Sequence, residues 1–211
     1  MNFAIVPAAG LSTRMGRPKL TLPLGDRTII EHVISALQAG GVEQIVVVTG
    51  PHAESVNELA ASAGANVVAL REPTPDMRTT VEHGLAWIEA RFHPRPDDRW
   101  LLAPGDHPAL NPAVVKQLLA AGENETVVIP TYRGQRGHPT RFVWKHVAGI
   151  RQLPAQQGIN ALVRNGSAVI ELSVDDAGIL VDIDTRGDYE KIMRNTFKGV
   201  WGRERNELVG L

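Results

Sequence analysis

Cysteine is absent from the 211-residue chain. That excludes disulfide frameworks, thiolate nucleophiles, Cys-ligated zinc and iron–sulfur clusters. An excess of charge is missing too: 22 Lys+Arg against 23 Asp+Glu leave a formal net charge of -1. Such balance argues against wholesale binding to nucleic acid or a membrane surface, so any affinity for anions must be local. No apolar run approaches membrane-spanning length, and the N-terminus has neither the basic n-region nor the h-region of a signal peptide. The expectation is a cytoplasmic protein with no nucleic-acid or membrane partner. Spacings of the H-E-x-x-H type are also missing, which disfavours a zinc enzyme, and no G-x-S-x-G elbow offers a serine nucleophile.

What is present is an alternation of two periods. Short apolar or β-branched runs recur as "FAIV", "QIVVVTG", "ANVVAL", "RWLLAPGD", "TVVIPTY" and "AVIELSV". Helical spacings lie between them. Thr28 and Glu31 form a capping box ahead of Ile30, Val33, Ile34 and Leu37, and Gly40-Gly41 ends that helix. A weaker helix is predicted from Ser55 to Ala63, closed by Gly64. Thr79 with Glu82 predicts the cap of a third, carrying Val81, Leu85, Ile88 and Phe92; Asn111-Pro112 predicts the N-cap and first residue of a fourth.

The pattern implies an α/β fold, a mostly parallel sheet covered on both faces. After Thr131 it becomes irregular, with the loop "YRGQRGHPTRF" and the short helix "PAQQGINALVRNG", which predicts added antiparallel strands and substrate loops. One domain is expected over residues 1–197. The tail, 198–211, has little periodicity and is expected to fray.

Ligands of open α/β sheets bind beyond the carboxyl ends of the strands, which selects four loops. The first, "PAAGLSTRMGRPKL", holds glycines, hydroxyls and cations. It is not a P-loop, because Gly10 and Gly16 stand one residue too far apart and Lys19 does not follow glycine. The dinucleotide fingerprint G-x-G-x-x-G is absent, and Thr49-Gly50 stands where it wants an acidic residue. What remains is a wide loop whose amides can wrap an anion, with Arg14 and Lys19 as cations suited to polyphosphate.

The second loop, "LLAPGDHPAL", delivers Asp106 to the same edge. A carboxylate beside polyphosphate needs an intervening cation, and magnesium fits, since it takes carboxylate and phosphate oxygens. In the third, "GILVDIDTRGDYE", Ile179, Val181 and Ile183 alternate, which predicts a strand presenting Asp182 and Asp184 about 6.5 to 7 Å apart on its other face. Thr185 with Asp188 then caps a last helix. The fourth, "GQRGHPTRF", offers Arg136 and His138 on a glycine-shaped turn. Taken singly, each loop also fits an ordinary solvated or bracing turn.

Together they resemble one family. "PAAGLSTRMGRPKL" is similar to the A-A-G-x-S-x-R-M-G-x-x-K signature of the MobA-like nucleotidyltransferases, with Ala8, Ala9, Gly10, Ser12, Arg14, Met15, Gly16 and Lys19 at its fixed positions. "PGDHP", "RGHPTRF" and "VDIDTRGDYE" follow in the order of its molybdenum cofactor cytidylyltransferase branch. The resemblance spans residues 2 to 195. It implies a Rossmann-like three-layer fold and magnesium-dependent attack of a phosphate monoester on an NTP, with pyrophosphate released.

Carried onto this chain, the resemblance assigns Pro7, Ala8, Ala9, Gly10, Ser12, Arg14, Gly16, Lys19 and Thr80 to the nucleotide. Arg14, Lys19 and Asp106 take the catalytic roles, and Asp106 and Asp182 hold Mg2+. Gly137, His138, Pro139 and Asp184 go to the acceptor. The A-A-G start leans to CTP, and the acceptor implied is molybdopterin, passed on to a molybdoenzyme. A sugar or alditol phosphate acceptor and a non-catalytic cofactor-insertion chaperone are the alternatives. Two departures stand out: Asp76 replaces a glycine of the segment before the third helix, and Arg186 replaces a proline of the D-I-D-T-P end.

Overall fold

Strand and helix succeed one another as the periodicities predict. A computed structural model describes residues 1–10, 18–122, 126–164 and 168–194. Ser12, Arg14 and Gly16 of the opening loop, and the tail, lie outside the described residues.

The chain begins with β1 (Asn2–Ala8). A 3-10 turn (Lys19–Thr21) and a small hairpin, β2 (Pro23–Leu24) and β3 (Arg27–Thr28), lead into α1 (Ile29–Ala39). Then come β4 (Gln44–Thr49), α2 (Glu54–Ser62), β5 (Asn66–Ala69), α3 (Met77–Phe92), β6 (Arg99–Leu102) and α4 (Pro112–Ala120). The second half adds β7 (Thr126–Tyr132), β8 (Gln135–Arg136), β9 (Thr140–Val143), α5 (His146–Arg151), α6 (Asn160–Arg164) and β10 (Ala168–Ser173). A 3-10 turn (Ala177–Leu180) precedes a final helix, described over 186–194.

The main sheet runs β10-β7-β9-β6-β1-β4-β5, with β8 hydrogen-bonded to β7. β1 pairs in parallel with both β4 and β6, and β10 pairs in parallel with β7. β9 is antiparallel to β6 and β7, so the irregular second half does contribute antiparallel strands. Both faces are covered. Ala4, Val6 and Ala8 of β1 join a core with α1, α2 and α4, whereas Phe3 and Ile5 join a second core with α3. Layers of helix, sheet and helix are the solution for strands apolar on both faces. Gly84 lets α3 lie close to the sheet: a Cβ there would stand 3.0 Å from Val48 Cγ2 and 3.1 Å from Ile5 Cγ2.

The caps at Thr28 and Asn111 stand as expected. The third helix differs. It starts at Met77, and the Asp76 carboxylate caps it by accepting from Thr79 N at 2.7 Å. A carboxylate at this position satisfies an orphan amide better than a threonine three residues on. The predicted strand through 179–183 is also absent. The Asp176 carboxylate accepts from Gly178 N and nucleates the 3-10 turn, and Ile183 N donates to Asp106 O at 3.0 Å instead of to a ladder. Ile179 and Ile183 are buried all the same, so the alternation reports burial, not strand pairing. Among the described residues no helix is long and apolar enough to cross a membrane.

Candidate active site

The order of the strands fixes where a crevice opens. From β1 the chain winds to β4 and β5 on one side, then returns to β6 on the other, so β1 and β6 diverge at their carboxyl ends. There Ala8, Ala9, Gly10, Pro104 and Asp106 line a cavity of about 350 Å3. Lys19, Thr80, Asp76 and Met77 complete much of its wall. Thus Pro7, Ala8, Ala9, Gly10, Lys19, Thr80 and Asp106, all named from the sequence, meet in one place. Thr80 is buried, its Oγ1 2.6 Å from Thr74 Oγ1.

Lys19 opens the 3-10 turn, which the buried Leu20 anchors. Its ammonium donates to Asp106 Oδ2 at 2.7 Å and to Asp184 Oδ1 at 3.0 Å. Asp184 arrives there because Ile183 is pinned to the Asp106 carbonyl. The carboxylate that shares Lys19 with Asp106 is that of Asp184; Asp182, which the resemblance joined to Asp106 as a metal ligand, is exposed. Burial opposes the Lys19 charge, yet hydrogen bonds and attraction to Asp106 and then Asp184 hold its pKa above the usual lysine range. Burial likewise opposes ionisation of Asp106, but hydrogen bonds from His107 and Lys19 and their charge hold it well below the carboxylate range. The pair is ionised at neutral pH.

A second cavity of about 300 Å3 adjoins the first across Asp76 and Met77. His138 and residues 155–160 line it, with Arg78 and Leu102. Arg78 ties its two sides together: Nε pairs with Glu82 at 2.8 Å, while Nη1 donates to Pro154 O at 2.8 Å and Gln157 O at 3.1 Å. Burial, then the neighbouring His107, pushes the His138 pKa down to about 4, so its ring is neutral. Gly137 and Pro139 are buried behind it. A Cβ on Gly137 would stand 2.4 Å from Ile179 O, a close approach only glycine permits. Of the residues assigned to the acceptor, His138 faces this cavity, whereas Asp184 sits on Lys19.

Residues 4–170 match the MobA-like NTP transferase domain. The chain belongs to that family. Among curated relatives of this MobA-like protein, the molybdenum cofactor cytidylyltransferase of Escherichia coli K12 is 26% identical over 188 residues, 88% of this chain and 92% of that one. Among solved structures, Rv0371c of Mycobacterium tuberculosis H37Rv superimposes with a TM-score of 0.78 at 29% identity, covering 91% of this chain and 97% of that one. The same mycobacterial protein in complex with manganese gives a TM-score of 0.73 at 28% identity, covering 92% and 98%. A nucleotidyl transferase from Methanothermobacter (Mth528) gives 0.79 at 26% identity, covering 94% and 99%. The MobA-like chain described here is a nucleotidyltransferase with the Rossmann-like α/β fold of its neighbours.

Sequence reasoning missed the contact of Asp184 with Lys19, the cap at Asp76 and the wall formed by 155–160. The cap was legible, as Asp76-x-x-Thr79 is an N-cap spacing. The other two depend on chain crossings that no local pattern encodes.

Proposed function

We propose that the protein transfers a cytidylyl group from CTP to the phosphate of molybdopterin, releasing pyrophosphate, in a site that uses magnesium held by Asp106 and Asp184. The observation that carries this reading is the Lys19 ammonium shared by two carboxylates at the mouth of the crevice. Two carboxylates that hold one cation between them are suited to hold another, and hard oxygen donors suit magnesium. Among the described residues no cluster of three or more His, Cys, Asp or Glu could hold a metal ion. A two-carboxylate set fits an ion that keeps waters and substrate oxygens in its shell. When bound, magnesium would neutralise charge building on the phosphates.

The protein's own groups supply the rest. The amides of Ala8 to Gly10 lie where a nucleotide entering the larger cavity would meet them. Lys19, charged at neutral pH, would swing from the carboxylates to the triphosphate and stay with the leaving pyrophosphate. Arg14 takes the same role from the loop sequence. Thr80 and the cap of α3 line the nucleotide side, and His138 and the 155–160 segment line the acceptor side. Phosphoryl-type transfer needs positioning and charge neutralisation more than acid–base chemistry, and this inventory matches that need. Cytosine is favoured by the A-A-G start and by the E. coli relative's name.

The test supplies purified protein with magnesium, molybdopterin and each NTP in turn, and follows pyrophosphate. Release with CTP above the other three is expected. Release with GTP alone would overturn the cytidine assignment, and release with none would overturn the reading. Asp106→Asn and Asp184→Asn should each lower kcat by about a hundredfold or more, whereas Asp182→Asn should stay near wild type. A large loss in Asp182→Asn with an active Asp184→Asn would return the metal to Asp182.

A further inference from the structure

His107 follows Asp106 directly and has no place in the transfer described above. Its Nδ1 lies 3.0 Å from Asp106 Oδ1, whereas the Lys19 ammonium donates to Oδ2. Both oxygens of Asp106 are thus engaged by different partners: His107 takes Oδ1, and the ammonium takes Oδ2. An ionised carboxylate has no proton to give, so the hydrogen of this bond sits on His107 Nδ1.

The imidazole is itself held. His107 is only 13% exposed, and the His138 ring stands edge-on to it, with centroids 5.1 Å apart at 80°. His138 in turn is fixed by its backbone amide, which donates to Ile179 O at 2.9 Å. His107 itself is not among the residues that line either cavity.

We propose that His107 is a positioning residue for nucleotidyl transfer, holding Asp106 by Oδ1 so that Oδ2 alone is turned to the cation position shared with Asp184. The inference rests on the reading of Asp106 as a metal-holding carboxylate. Groups of this kind, hydrogen-bonded behind a ligand, typically change metal affinity about 10- to 100-fold when removed.

The geometry distinguishes two amides. In Asn the side-chain nitrogen is two bonds from Cβ, as Nδ1 is in histidine; in Gln it is one bond further. His107→Asn can therefore reproduce the hydrogen bond, and His107→Gln cannot without displacing the carboxylate.

Mn2+ is titrated into wild type, His107→Ala, His107→Asn and His107→Gln in the presence of α,β-methylene-CTP, with free Mn2+ read by electron paramagnetic resonance and the fold checked by thermal melting. Affinity should fall about tenfold or more in His107→Ala and His107→Gln, and lie within about threefold of wild type in His107→Asn. Nucleotide affinity without metal should be equal in all four. If His107→Ala fails to fold, the Asn and Gln pair decides alone. Wild-type affinity in His107→Ala, or equal affinity in the Asn and Gln variants, overturns the role of His107 and leaves Asp106 as a metal carboxylate. No Mn2+ binding by wild type overturns the metal reading and this inference together.

Discussion

In the proposed reading, Lys19 stands where the divalent ion would go. Its ammonium lies within hydrogen-bond distance of Asp106 and of Asp184, and all three groups are at most partly exposed. A cation entering between those carboxylates must displace the ammonium or share the space with it, and two neighbouring cations repel by several kcal/mol at protein dielectric. A triphosphate relieves the conflict by giving Lys19 another anion. Metal and nucleotide binding should therefore be coupled through this one side chain. In Lys19→Met the coupling is lost: Mn2+ without nucleotide should bind about tenfold or more tightly than to wild type. Catalysis should fall by about a hundredfold or more, because a donor to the phosphates is gone. Titrating Mn2+ into both proteins without nucleotide checks this, and equal affinities would mean that the ammonium does not compete. Thermal melting gives a second readout. The variant loses the ammonium between two carboxylates and should be less stable alone, yet gain more from Mn2+ than wild type does.

At the level of single elements, the start of α3 stands between the two cavities. Asp76 caps it through Thr79 N and Thr79 Oγ1, and hydrogen bonding to Thr79 holds the Asp76 pKa below its ordinary value. The same residue belongs to the walls of both cavities. Asp76→Ala should cost about 1 kcal/mol of stability, the usual worth of such a cap. It should also raise KM for the nucleotide, as the first turn bearing Met77 and Thr80 frays. Asp76→Asn keeps an acceptor for Thr79 N and should restore both; stability regained without KM would separate the cap from the cavity. Elements of this kind mark how far a sequence can be read. The capping box at Thr28, the cap at Asn111, the apolar stripes of α1 and α4 and the parallel strands are local patterns, and they appear where the pattern puts them, whereas the cap expected at Thr79 falls at Asp76. The segment through 179–183 has the alternation of a strand and buries Ile179 and Ile183. Its backbone bonds to neighbours, His138 N to Ile179 O and Ile183 N to Asp106 O, go to two different segments and form no ladder, which needs a partner strand that period alone does not supply. Lys19 and Asp106 were legible because each lies in a loop at a strand end. The nearness of Asp184 to them was not, since it is set by the single bond from Ile183 N to Asp106 O.

Across the whole molecule the site depends on a crossing. The chain leaves β10 with Val174 N bonded to Thr131 O, passes over the turn at Gly137 and His138, and ends at Asp106 and Lys19. Residues more than 160 positions apart in sequence, Lys19 and Asp184, meet where this segment is bonded at Ile179 to His138 and at Ile183 to Asp106. Gly137 is the point of closest approach, where a Cβ would meet the Ile179 oxygen at 2.4 Å and its carbonyl carbon at 2.8 Å. Both are backbone atoms that cannot rotate aside, so Gly137→Ala must lift the crossing. Overpacking of this kind costs about 1 to 3 kcal/mol, and here it should also carry Asp184 away from Lys19 and Asp106. The comparison is Gly134→Ala on the same hairpin. Gly134 has a φ of +79° and nothing within 4 Å of a built Cβ, so alanine there is strained but displaces no neighbour. Both variants should melt earlier than wild type. Only Gly137→Ala should also weaken Mn2+ binding measured with α,β-methylene-CTP, by about tenfold if one of two carboxylates is drawn off. Unchanged Mn2+ affinity in a destabilised Gly137→Ala would mean that the second carboxylate does not depend on the crossing. The C-terminal third would then serve the acceptor side alone.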